Sequence, residues 1–75
     1  MSLTEDQRGV MVMGVTPGSG AARSGLMVGD RIVAVENTQV NRINQLRAII
    51  SGAPPDTTVL IELERQGTPF LLALP

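Results

Sequence analysis

The sequence contains no cysteine, histidine, tryptophan, tyrosine or lysine, and only one aromatic residue, Phe70. Each absence excludes some chemistry. Without cysteine there is no disulfide, thiolate nucleophile or zinc–thiolate site, and without histidine there is no Ser-His pair and no imidazole metal ligand. These losses argue against an autonomous enzyme, and neither a cofactor nor a metal is expected. A chain of 75 residues with one phenylalanine must build an aliphatic core, and at this size it buries only about 60% of its unfolded surface. Excess charge of one sign is missing too: seven acidic residues stand against six arginines, for a net charge of −1. With neither a basic excess nor aromatic stacking platforms, the chain lacks the usual footprint of a nucleic-acid binder. Apolar runs such as Phe70 to Leu74 fall far short of the ~18 residues of a membrane span.

What is present is a series of short periodic segments separated by turn signals. The first eight residues, MSLTEDQR, are polar without a period and read as an added leader or flexible tail over residues 1–8, with the ordered domain over 9–75. They hold no cationic segment followed by an apolar one, so any export signal belongs to a longer parent chain. Val10-Met11-Val12-Met13 leads through Gly14-Val15 into the turn Thr16-Pro17-Gly18-Ser19-Gly20. That pattern predicts a short strand buried on both faces or at a sheet centre. Ser19 is placed to cap a short helix over Gly20 to Ser24, which Gly25 stops in a left-handed conformation. After Leu26-Met27-Val28 and the turn pair Gly29-Asp30, a second strand runs over Arg31 to Glu36, with Ile32, Ala34 and Glu36 on one side and Val33 and Val35 on the other. Asn37-Thr38-Gln39 reverses the chain, Asn37 tolerating a positive φ.

Ile43, Leu46, Ile49 and Ile50 then recur at the spacing of one helical stripe, with Asn41 as N-cap, Gly52 at the C-terminal cap and Pro54-Pro55 unable to continue the ladder. From Thr58 to Arg65 the alternation is strict, Val59, Ile61 and Leu63 opposing Leu60, Glu62 and Glu64. Gln66-Gly67 turns the chain into a last strand, Thr68 to Leu74, so the final two strands form a hairpin.

The stretch from Pro17 through Gly18-Ser19-Gly20-Ala21-Ala22, Gly25-Leu26 and Gly29-Asp30 into the aliphatic strand Arg31 to Val35 resembles the signature of a bacterial PDZ domain. Gly18, Gly25, Leu26, Gly29 and Asp30 carry that signature. Physical roles fit them: the two alanines let a short helix sit close to a sheet, Gly25 ends it, Leu26 plugs the core and Gly29-Asp30 turns into the strand. The family's Asn-Gly turn is Asn37-Thr38 here. The later helix, the proline-rich connection and the Arg65-Gln66-Gly67 hairpin agree in order, so the resemblance covers Gly9 to Pro75. It is most similar to the C-terminal PDZ module of HtrA/Deg periplasmic serine proteases.

The resemblance implies an α+β fold, a PDZ-like partly open antiparallel β-barrel of four to five short strands with one short and one longer helix. It implies a noncatalytic module that takes up a C-terminal or extended peptide by β-strand addition, in an exported serine endopeptidase of the bacterial periplasm or cell envelope. The helix wall of the peptide site is then Ile43, Leu46, Arg47 and Ile50. The rival reading is a structural interaction domain of a secretion or membrane-associated complex, or the PDZ module of a site-2 metalloprotease. The family carries a Tyr-Leu-Gly-Val-like motif before the strand equivalent to Val10 to Val15, and MSLTEDQR does not match it. The strand and carboxylate-binding loop are therefore expected to be missing, leaving an open groove and a sheet edge prone to self-association.

Plainer roles compete for several of these residues. At least three of Ile43, Leu46, Ile49 and Ile50 pack on the sheet as core, and Arg47 is first of all a solvated side chain. Met11, Met13 and Met27 read as adaptable core filler. Gly18-Ser19-Gly20 lacks the spacing and the Lys-Ser/Thr pair of a phosphate cradle. The acids Asp30, Glu36, Asp56, Glu62 and Glu64 are too scattered for paired-carboxylate catalysis.

Overall fold

The alternation of Val59, Ile61 and Leu63 is realised in space: these side chains are buried at 5%, 1% and 0% exposure, while Leu60, Glu62 and Glu64 between them face outward. They belong to one of six strands in a computed structural model that describes residues 2–54 and 57–74. In chain order the elements are β1 (Ser2–Asp6), β2 (Gly9–Gly14), α1 (Gly20–Arg23), β3 (Arg31–Val35), β4 (Thr38–Gln39), α2 (Ile43–Gly52), β5 (Val59–Arg65) and β6 (Thr68–Leu74). The strands form one antiparallel sheet in the order β1-β2-β3-β5-β6, with β4 hanging from β3. The sheet does not close, so β1 and β6 are its edges. Met1, Pro55, Asp56 and Pro75, on which parts of the leader, helix-stop and acidic-scatter readings rest, lie outside the described residues.

One face of the sheet carries the core. Val10, Val12, Ile32, Val35, Val59, Ile61 and Leu63 meet Leu26, Val40 and Leu46 in a single cluster without an aromatic residue. Phe70 stays 42% exposed, in register with Leu63, and takes the Arg65 guanidinium over its ring at 5.0 Å. That placement lets a cation stack on the one aromatic face available.

Residues 2–8 are not a tail. Ser2–Asp6 forms β1, which pairs with β2 from Ser2↔Gly14 to Asp6↔Gly9, and β1 stands where a strand was expected to be missing. The segment is almost entirely polar because only Leu3 of its five residues packs on the core, and one apolar residue leaves no periodic signal. Gly9 lets the start of β2 lie close against β3, because at φ +146° a Cβ there would stand 2.5 Å from the Ile32 carbonyl oxygen.

Three further expectations change. The run Val10 to Met13 is not buried on both faces: Val10 and Val12 are at 0% exposure, Met13 is at 55%, and Met27 is also at 55% rather than in the core. In β3, Ile32 and Val35 both point inward, because a register shift between Ile32 and Ala34 breaks the simple alternation. The helix α2 begins after Arg42, whose side chain makes no capping bond, and Gly52 is its last residue with Ala53 as C-cap. Asn41 instead donates its backbone N–H to Gln45 Oε1 at 3.2 Å, and Gln45 Nε2 donates to the Gln39 carbonyl at 2.9 Å. The short helix matches the sequence reading: Ser19 Oγ accepts from Ala22 N, while Gly25 N and Leu26 N donate back to Ala22 O and Ala21 O in a Schellman closure.

Candidate functional site

The edge strand β1 and the helix α2 lie side by side, and their first turn of contact is made by a side chain. Glu5 Oε1 accepts a hydrogen bond from Ile43 N at 2.9 Å. A helix start leaves its first backbone N–H groups without partners. Here a carboxylate from another element satisfies one of them, and its charge suits the positive end of the helix dipole. Leu3 and Glu5 sit two residues apart on β1 and so share the face toward α2.

On the helix, Ile43, Leu46, Arg47 and Ile50 fall within an arc of about 100°. Their exposure divides them. Leu46 is fully buried and closes the floor, Ile43 and Ile50 are half-buried against the core, and Arg47 is exposed to solvent. At the end of the groove a hollow of about 260 Å³ is lined by Glu5, Asp6, Gln7, Asn41 and Arg42. Asp6 is held there by Arg31, whose Nη1 donates to both carboxylate oxygens at 2.6 and 2.7 Å. The Arg31 hydrogen bond, with help from the Arg8 backbone N–H, lowers the Asp6 carboxyl below its ordinary value. An acid so held stays anionic at neutral pH and is a poor proton donor. Among the described residues no group of three or more acids could hold a metal ion.

The signature residues follow β2 in the chain, and Gly29 and Asp30 bond through their backbone to Val12 within it. Gly18, Gly25 and Gly29 have φ of +78°, +97° and +93°, and Leu26 is 4% exposed. Asp30 is 1% exposed; its Oδ2 accepts from Met27 N at 2.8 Å and its two oxygens accept from Arg65 Nε and Nη2, each at 2.8 Å. Arg65 also donates to the Gly25 carbonyl at 2.9 Å, tying the end of β5 to the loop that follows α1. The structure thus separates two sets: the helix wall beside β1, and the Gly-Asp signature as a brace. Sequence reading missed Leu3 and Glu5 on the strand side of the groove and Arg65 in the brace. The single cue for β1 was Gln7-Arg8-Gly9, a turn followed by an apolar strand.

The sequence matches the PDZ domain family over residues 1–74. The chain belongs to that family. A PDZ domain is a noncatalytic module, and this one is 40% identical over 64 residues to the periplasmic pH-dependent serine endoprotease DegQ of Escherichia coli, covering 85% of this chain and 14% of that protein. It is likewise 34% identical over 74 residues to a probable periplasmic serine endoprotease of Rhizobium meliloti, covering 96% of the chain and 15% of the relative. The PDZ domain therefore spans a small part of the length of these curated relatives. Among solved structures, the HtrA3 PDZ domain bound to a phage-derived ligand superposes with a TM-score of 0.82 at 24% identity, over 93% of this chain and 61% of that one. The HtrA-type protease AlgW with a decapeptide gives 0.87 at 20% identity, over 97% and 26%. At these identities the two structures establish the fold.

Proposed function

We propose that this PDZ domain is the peptide-binding, regulatory module of an exported HtrA/Deg-type serine protease, taking up C-terminal or extended segments by strand addition to β1. One observation carries the reading: β1 is an edge strand with α2 alongside, joined by the Glu5–Ile43 hydrogen bond. An unpaired strand edge offers backbone donors and acceptors to an extended chain, and a neighbouring helix supplies side-chain selectivity. Ile43 and Ile50 form the apolar wall above the buried Leu46, and Arg47 stands at its solvent rim. The phage-derived ligand bound to the HtrA3 PDZ domain and the decapeptide with AlgW support this reading. The periplasmic relatives support a place in the periplasm or cell envelope.

The test is fluorescence anisotropy with a dye-labelled peptide ending in apolar residues, once with a free carboxylate and once amidated. Saturable binding that falls at least tenfold on Ile43→Ser, in a variant whose melting shows it folded, supports the proposal. Equal signal from wild type and the variant, or no saturation, would overturn it.

A further inference from the structure

The sheet face turned away from α2 has a character of its own. Leu60 and Leu71, 45% and 61% exposed, lie there with Val33 in two hollows of about 320 and 100 Å³ that adjoin through Glu62 and Leu71. Glu36, Glu62 and Glu64 rim this furrow. The register puts Glu62 opposite Leu71, alternating acid with apolar surface across β5 and β6.

The acids there lack a basic counterweight. Arg31 lies opposite Glu64 in the register, yet its guanidinium is taken by Asp6, and Arg65 is taken by Asp30. Among the described residues no ion pair engages Glu36, Glu62 or Glu64. The remaining arginines stand elsewhere: Arg8 on the β1–β2 turn, Arg23 on α1, Arg42 at the N-cap of α2 and Arg47 on α2. None of these four lies on β3, β5 or β6, the strands that carry the furrow.

We infer that the Val33–Leu60–Leu71 furrow is a second docking surface, fitted to a polypeptide segment that carries lysine or arginine among aliphatic residues. Charge complementarity selects that occupant. Nucleic acid and anionic lipid would meet three carboxylates, and a second copy applied face to face would set Glu62 and Glu64 against their equivalents, a like-charge arrangement that disfavours association. A basic segment gains on both counts: its cations meet the glutamates, and its apolar stems cover Leu60 and Leu71. The surface is separate from the β1–α2 groove and does not depend on the groove binding anything.

The probe is an acetylated, amidated peptide of alternating lysine and leucine, which has no free carboxylate to offer the groove. Titrated into the 15N-labelled 75-residue chain, it should shift the amides of Val33, Leu60, Glu62 and Leu71 saturably and leave Leu3 and Ile43 unmoved. The double variant Glu62→Gln, Glu64→Gln should weaken binding about fivefold and flatten its salt dependence, since two rim charges of modest individual weight are lost. Leu71→Asn, at a solvent-facing position, should weaken it by a similar factor. The inference is overturned if the glutamate-for-lysine control peptide binds equally, if shifts map to β1 and α2, or if nothing saturates. It is also overturned if light scattering shows that the chain already dimerises through this face without peptide.

Discussion

The Asp30 carboxylate and the Arg65 guanidinium meet in a two-point bridge, both nitrogen–oxygen distances being 2.8 Å, although 35 positions separate them in the chain. Asp30 is 1% exposed and also accepts the Met27 N–H. One carboxylate therefore closes the turn before β3 and clamps the end of β5. Asp30→Asn keeps the shape and loses the charge, and should cost about 2 kcal/mol in urea unfolding, the scale of a charge-assisted hydrogen bond. Arg65→Lys should not restore it, because a lysine cannot reach both oxygens and the Gly25 carbonyl in one fork. Wild-type stability in the lysine variant would show that the geometry is dispensable.

The same bridge sets the acid limit. Burial pushes the Asp30 carboxyl up, but the Arg65 guanidinium and the Met27 N–H outweigh it and leave the group below its ordinary value of 3.8. Asp6 is lowered as well, chiefly by Arg31. A carboxyl with a depressed folded-state pKa contributes stability that is fully present above the unfolded value and is lost as pH falls through the folded one. Melting temperature should therefore hold from pH 7 to pH 5 and drop below about pH 4. The drop should be shallower in Asp30→Asn, and equal slopes in the two proteins would remove Asp30 from the account.

Two glycines should respond oppositely to alanine. Gly9 has φ +146° and no room for a Cβ, which would stand 2.5 Å from Ile32 O, whereas nothing lies within 4 Å of a Cβ at Gly20. Gly9→Ala should cost about 3 kcal/mol through strain and a backbone clash. Gly20→Ala, at the start of α1, should be neutral or stabilise by up to about 0.5 kcal/mol. Chemical denaturation of both variants tests the contrast, and similar losses would be inconsistent with it.

Along the groove, Glu5→Ala should unsatisfy Ile43 N and cost about 1 kcal/mol, the weight of an N-cap. Glu5→Gln, whose carbonyl oxygen can accept the same bond, should recover most of that loss. Amide exchange at Ile43 reads the effect directly, and protection unchanged in Glu5→Ala would mean that α2 needs no cap from β1.

Within the helix wall, Leu46→Ala should destabilise by about 3 kcal/mol because Leu46 is fully buried. Arg47→Ala should stay within about 0.5 kcal/mol. Thermal melts of the two variants separate floor from rim, and comparable shifts would contradict the burial difference between neighbouring residues.

The amino-acid sequence by itself determined the local elements whose signals are short-range. Ser19 and Gly25 bound α1, the Gln66-Gly67 turn joins β5 to β6, and the alternation from Val59 to Leu63 assigns one face of β5 to the core, because caps, positive-φ turns and a two-residue period are written within a few positions. It also determined the aliphatic character of the core, since no other residues were available to build it. Tertiary structure decided the rest. Ser2–Asp6 becomes a strand only through its ladder to β2, because one inward leucine is too little apolar surface to announce it. Val35 turns inward beside Ile32 only because β3 shifts register against β5. Glu5 caps α2 from 38 positions away and Arg65 answers Asp30 from 35, pairings that no local pattern encodes. The groove beside β1 and the acidic furrow on the far face are both products of those long-range contacts, which decide where an unpaired edge and an uncompensated charge come to lie.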